Sequence, residues 1–97
     1  MRRAEALAII AAHEEELRRD YYVSYLAIFG SVARDEARED SDVDILVEFD
    51  RPVGLFHFIG LQHHLEELLG KRVDLGTPDS IKPRLRDQIL EEAIRAA

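Results

Sequence analysis

Two aspartates spaced one residue apart at the head of an apolar run constrain this chain more than any other feature. Asp42 and Asp44 lead into Val43-Asp44-Ile45-Leu46-Val47-Glu48-Phe49, whose β-branched and apolar residues favour an extended strand. In a strand, positions i and i+2 project from one face. The two carboxylates are therefore expected side by side, at a spacing suited to a hard divalent cation such as Mg²⁺ bound through oxygen. Without a cation each charge disfavours the other, so the spacing points to a metal as their partner.

Upstream, Tyr25 to Phe29 is a short apolar run that ends at Gly30-Ser31, and the residues from Val32 to Arg38 have helix-compatible composition. The order strand, tight turn, helix aims backbone N–H groups at an anion. Gly30 permits close backbone approach and Ser31 adds a hydroxyl. Arg34, one turn beyond Ser31, has the reach to touch a phosphate or to tether a carboxylate. With Asp42 and Asp44 a short loop away, a triphosphate and the Mg²⁺ bridging it fit one site.

Length and charge narrow the field. Ninety-seven residues predict one domain, 1–97. Thirteen basic against 20 acidic residues, a net charge of −7, argue against a surface built to grip a nucleic-acid polymer. The absence of cysteine removes disulfides and thiolate zinc sites, and fits a cytoplasmic location. Met1-Arg2-Arg3 followed by Ala4 to Ala12 has the outline of a signal peptide. Glu5 interrupts its apolar part, however, and His13-Glu14-Glu15-Glu16 stands where a small-residue cleavage site belongs. No apolar run approaches the ~20 residues of a membrane span.

In chain order, Arg3 to about Asp20 reads as one helix with Leu7, Ile10, Ala11 and Leu17 near one face. Tyr21-Tyr22 reads as the aromatic edge of the core, leading into a strand at about Tyr25 to Phe29. After the second strand, Val43 to Phe49, turn chemistry at Asp50 to Gly54 precedes a helix. Its stripe is Leu55, Phe58, Ile59, Leu65, Leu68 and Leu69, Gln62 is the polar gap, and Gly70 stands at the C-terminal cap. His57, His63 and His64 ride on this helix, but no two lie three or four apart, so packing or solvation is expected rather than zinc binding. Arg72 to Leu75 is a third short strand. Paired beside Val43 to Val47, it would set Asp74 next to Asp42 and Asp44. Pro83 opens a last helix whose apolar face is Leu85, Ile89, Leu90, Ala93 and Ile94. The order α, β, α, β, α, β, α predicts an α/β (α+β) fold, a small mixed sheet of three to four strands with helices packed against it.

Rival motifs are poorly matched. Asp40, Asp42 and Asp44 imitate the start of an EF-hand loop, but Ile45 takes the glycine position and Arg51 the glutamate position. Neither a P-loop nor a dinucleotide-binding glycine fingerprint occurs.

The segment GSVARDEAREDSDVDILVEF resembles the signature of the minimal nucleotidyltransferases of the polymerase-beta-like superfamily, and VDLGTPDSIKPRLRDQILEEA is similar to their C-terminal part. The resemblance covers nearly all of the chain from Phe29 onward. It implies the nucleotidyltransferase fold, Gly30 and Ser31 facing the triphosphate of ATP, Arg34 and Ser41 as further nucleotide-binding positions, and Asp42, Asp44 and Asp74 as catalytic residues holding two Mg²⁺ ions. Asp35 stands where the family often carries glycine. The chemistry implied is nucleotidyl transfer, in which metals activate an acceptor hydroxyl and stabilise leaving pyrophosphate. The chain has no length for an acceptor domain, so the acceptor is expected outside it. Minimal nucleotidyltransferases are commonly paired with a HEPN toxin and act as antitoxins, some by transferring AMP to a tyrosine of that partner, in a homo- or hetero-oligomer. Two alternatives remain: a non-catalytic module that neutralises its partner by contact, and nucleotidyl transfer to a small molecule.

Overall fold

Burial along β2 (Val43–Phe49) sets the architecture: Val43, Ile45, Leu46 and Val47 are all fully buried, so both faces of this strand are covered and it lies inside the sheet with a neighbour on each edge. They are β1 (Val23–Phe29), antiparallel to it, and β3 (Val73–Gly76), parallel to it; a two-residue strand β4 (Ile94–Arg95) closes the far edge of β1, giving the order β3-β2-β1-β4. The computed structural model describes all 97 residues, Met1–Ala97. A hairpin can join antiparallel strands, but parallel ones need a crossover. Helix α4 (Leu55–Leu69) is that crossover between β2 and β3. Its turns bury Leu61, Leu65 and Leu69, and Gly70 ends it at φ +66.

Side chains alternate along each strand, so the sheet has two different faces. Val43, Ile45 and Val47 join Leu26, Ile28, Val73 and Leu75 in a core with Ala6 and Ile10 of α1 (Arg3–Ala12), Leu17 of α2 (Glu14–Tyr21) and the α4 leucines. Asp44 belongs to the opposite set. So do Ala27 and Leu46, which are fully buried yet stand outside that core. This second face is where helix α5 (Pro83–Glu92) approaches β1.

Several expectations are corrected. The single N-terminal helix is two, broken at His13 (φ −111, ψ 15), whose N–H turns back to Ile10 O at 3.0 Å and whose Nδ1 lies 2.9 Å from Ile9 O. A side chain that bonds the preceding turn competes with the regular ladder. The first strand starts at Val23 rather than Tyr25. The helix expected from Val32 to Arg38 is one turn, α3 (Gly30–Ala33), because Asp35 takes a left-handed conformation at φ +60. Leu55 is 70% exposed and drops out of the α4 stripe. The last helix stops at Glu92, and Ile94 pairs with Ile28 as β4. A 3-10 turn at Pro78–Ser80 also lies between β3 and α5. As expected, His57 and His64 pack, stacking on Tyr22 and Tyr21, and His63 is exposed.

Candidate active site

Register places the key residues in a row across three strands. Phe29, the last residue of β1, pairs with Asp44, and Asp44 pairs with Asp74 across the parallel ladder. In-register residues of neighbouring strands share a face, so Asp44 and Asp74 stand side by side, with Asp42 just before the strand. Gly30 follows Phe29 at φ +69. A Cβ there would lie 2.1 Å from Asp44 Oδ2, an impossible approach. Glycine is therefore required twice over, for its backbone conformation and for the space its hydrogen leaves.

Electrostatics mark the same spot. The Asp44 carboxyl is pushed up to about 6, first by burial and then by the charges of Asp74 and Asp42. Arg34 opposes the shift and Glu92 adds to it. Asp42, more open, lies 3.4 Å from Arg72 Nε. Asp74 is exposed. The carboxylates line a sheet face and do not close around one point in groups of three. Magnesium is usually held by one or two carboxylates, with substrate phosphates and water completing its shell. A hard-oxygen donor set whose like charges repel, set in a cradle that a Cβ at position 30 would fill, fits such an ion.

The candidate nucleotide-binding residues divide in two. Gly30 N–H donates to Glu92 Oε1 at 3.0 Å, and Arg34 Nη1 donates to the same oxygen at 2.5 Å. Arg34 Nε also reaches Glu36 at 3.2 Å, so its guanidinium tethers carboxylates. Ser31 sits between Gly30 and the buried Val32, and its carbonyl takes the Glu36 N–H at 2.8 Å. Ser41 is not gathered with them: its Oγ accepts from Arg38 N–H at 2.9 Å and braces the loop before Asp42. Asp35 holds its turn at φ +60, and its carboxylate receives Arg3 N–H at 3.0 Å. Glu92 was not foreseen. Nothing local separates it from Glu91 beside it, and only the fold carries it 62 positions back to Gly30.

Two hollows flank the region. A polar one of about 370 Å³ runs from Glu39, Ser41 and Asp42 to Lys71 and Arg72, and of the three candidate carboxylates only Asp42 lines it. The larger, of about 710 Å³, lies at the other end of β2 among Phe49, Val53, Leu55, Phe58 and Pro78, away from the acidic row. Neither hollow contains Asp44 or Asp74, so the candidate site is marked by the acidic row with its perturbed Asp44 and not by a cavity.

The nucleotidyltransferase domain pattern matches residues 10–96. The chain is 46% identical over 90 residues to the protein adenylyltransferase MntA of Thermococcus cleftensis, covering 93% of this chain and 91% of that one. A Methanocaldococcus jannaschii protein assigned as a protein adenylyltransferase is 51% identical over 72 residues, 74% of this chain and 77% of its own. Among solved structures, one described as a minimal nucleotidyltransferase superposes with a TM-score of 0.80 at 42% identity, covering 97% of this chain and 95% of that one. A toxin-antitoxin complex crystallised with AMP-PNP shares the fold at a TM-score of 0.72 and 22% identity, over 90% of this chain and 72% of that one.

Proposed function

The chain belongs to the nucleotidyltransferase domain family, and on that premise we propose that it transfers AMP from ATP to a protein hydroxyl, a tyrosine of a HEPN toxin partner, and so acts as an antitoxin. One observation carries the reading: Asp44 stands in register with Asp74 and against Gly30, which joins an acidic row to a glycine turn at one point. The naming of its relatives as protein adenylyltransferases supports a protein acceptor.

Asp42 and Asp44, with Asp74 beside them, would hold Mg²⁺. When bound, the ion neutralises phosphate charge and lowers the pKa of an acceptor hydroxyl. The chain's own part is placement. Gly30 N–H and the Ser31 hydroxyl would orient the triphosphate, and Arg34 supplies a cation whose charge acts on Asp44. Asp74, exposed on the edge strand, would take the acceptor's proton on its carboxylate. Fixed groups of this kind act by orientation and by electrostatic preorganisation.

The test is to incubate the protein with labelled ATP, Mg²⁺ and a co-purified HEPN partner. Asp42→Asn and Asp44→Asn should each lower label transfer by at least about a hundredfold with far-UV circular dichroism unchanged. Wild-type labelling by either variant overturns the assignment. A second reading, neutralisation by contact alone with the nucleotide site idle, is favoured by the seating of Glu92 on Gly30 and Arg34. ATP titration with and without Mg²⁺ separates the two readings.

A further inference from the structure

Resting on the nucleotide reading above, we propose that Glu92 is an intramolecular occupant of the triphosphate site, and that ATP binds by displacing it. One oxygen, Glu92 Oε1, receives both the Gly30 N–H and an Arg34 N–H. A carboxylate oxygen taking one backbone amide and one guanidinium hydrogen uses the donor set that a phosphate oxygen would use. Glu92 presents one oxygen to these two donors, whereas a triphosphate presents several. A triphosphate accompanied by Mg²⁺ brings its own cation to the acidic row, which Glu92 cannot do.

The helix that carries Glu92 is held lightly. Every residue of α5 keeps some exposure, and Leu85 and Leu90 are 41% and 42% exposed. Its other polar ties are Arg86 Nη2 to Pro78 O at 3.0 Å, the exposed Arg86–Asp79 ion pair at 3.8 Å and the short β4 ladder that follows it. Withdrawing the end of such a helix disturbs few buried contacts, and weakly buried segments open first. Nucleotide arrival is thereby linked to release of the α5 C-terminal turn.

The experiment is calorimetric titration of the full chain with ATP and Mg²⁺, for wild type, Glu92→Gln and the neighbouring control Glu91→Gln. Hydrogen exchange of residues 83–92 is followed with and without the nucleotide. Displacement predicts that Glu92→Gln binds about three- to tenfold more tightly, that Glu91→Gln binds as wild type, and that ATP speeds wild-type exchange along α5. Equal or weaker binding by Glu92→Gln overturns the proposal, making Glu92 a brace of the turn or a ligand of the site, and leaves the transferase reading standing. Should Glu92→Gln fail to fold, unchanged or slower exchange in ATP-bound wild type overturns it equally. If no protein binds ATP with Mg²⁺, the transferase reading falls and displacement with it.

Discussion

Asp44 carries opposite demands from stability and chemistry. Its carboxyl titrates near 6, above the ordinary carboxylate range, chiefly through burial and then through Asp74 and Asp42. The metal-free folded state therefore holds this proton more tightly than the unfolded chain does, and stability falls as pH rises from about 4 to about 6. Above that range the ionised group is a standing cost, which a bound cation removes. Urea unfolding in EDTA at pH 7.5 should show Asp44→Asn more stable than wild type by about 1 kcal/mol, after allowance for partial solvent screening. The gap should vanish at pH 4 or when Mg²⁺ is added to wild type. Asp35 obeys a different rule, because its φ of +60 suits glycine and asparagine and penalises β-branched residues. Asp35→Gly should stay within about 0.5 kcal/mol of wild type, while Asp35→Val should lose about 2 kcal/mol by thermal unfolding. The pair Asp42 and Asp44 was legible because a period of two needs no tertiary knowledge. Glu92 was not, because its meaning comes from a contact across the fold.

Among the elements, those with their own punctuation were legible. α4 announced itself through a leucine stripe and Gly70, and β2 and β3 through short apolar runs between turn residues. Where local pattern and tertiary context disagreed, context won. Ala93 and Ile94 continue a helical period, yet Ala93 is extended (ψ 137) and Ile94 pairs with the open edge of β1. An unpaired edge is satisfied that way, and no local rule foretells it. The break at His13 came from a side chain bonding its own preceding turn. Helices α4 and α5 differ correspondingly in what they contribute. Leu65→Ala in α4 should cost about 2–5 kcal/mol, since it empties a fully buried site. Leu85→Ala in α5 should cost less than about 1 kcal/mol. Paired urea titrations measure both.

For the molecule as a whole, acidity is both the obstacle and the clue. A chain of net charge −7 must receive an anionic triphosphate beside carboxylates that already repel one another. Binding of ATP should therefore weaken at least about tenfold in EDTA relative to Mg²⁺, measured by calorimetry at fixed ionic strength. An equal affinity in both buffers would contradict the metal assignment. No helix is long and apolar enough to cross a membrane. The largest exposed apolar side chains, Leu55 and Phe56, begin α4 beyond the end of β2 remote from the acidic row. The near-contact of Gly30 with Asp44 has a last consequence, which is one-sided epistasis. Alanine at 30 should unfold the turn, and a second change, Asp44→Ala, should restore folding in part by vacating the collision. On the proposed reading no such second change restores transfer, because the carboxylate that yields the room is one assigned to the metal.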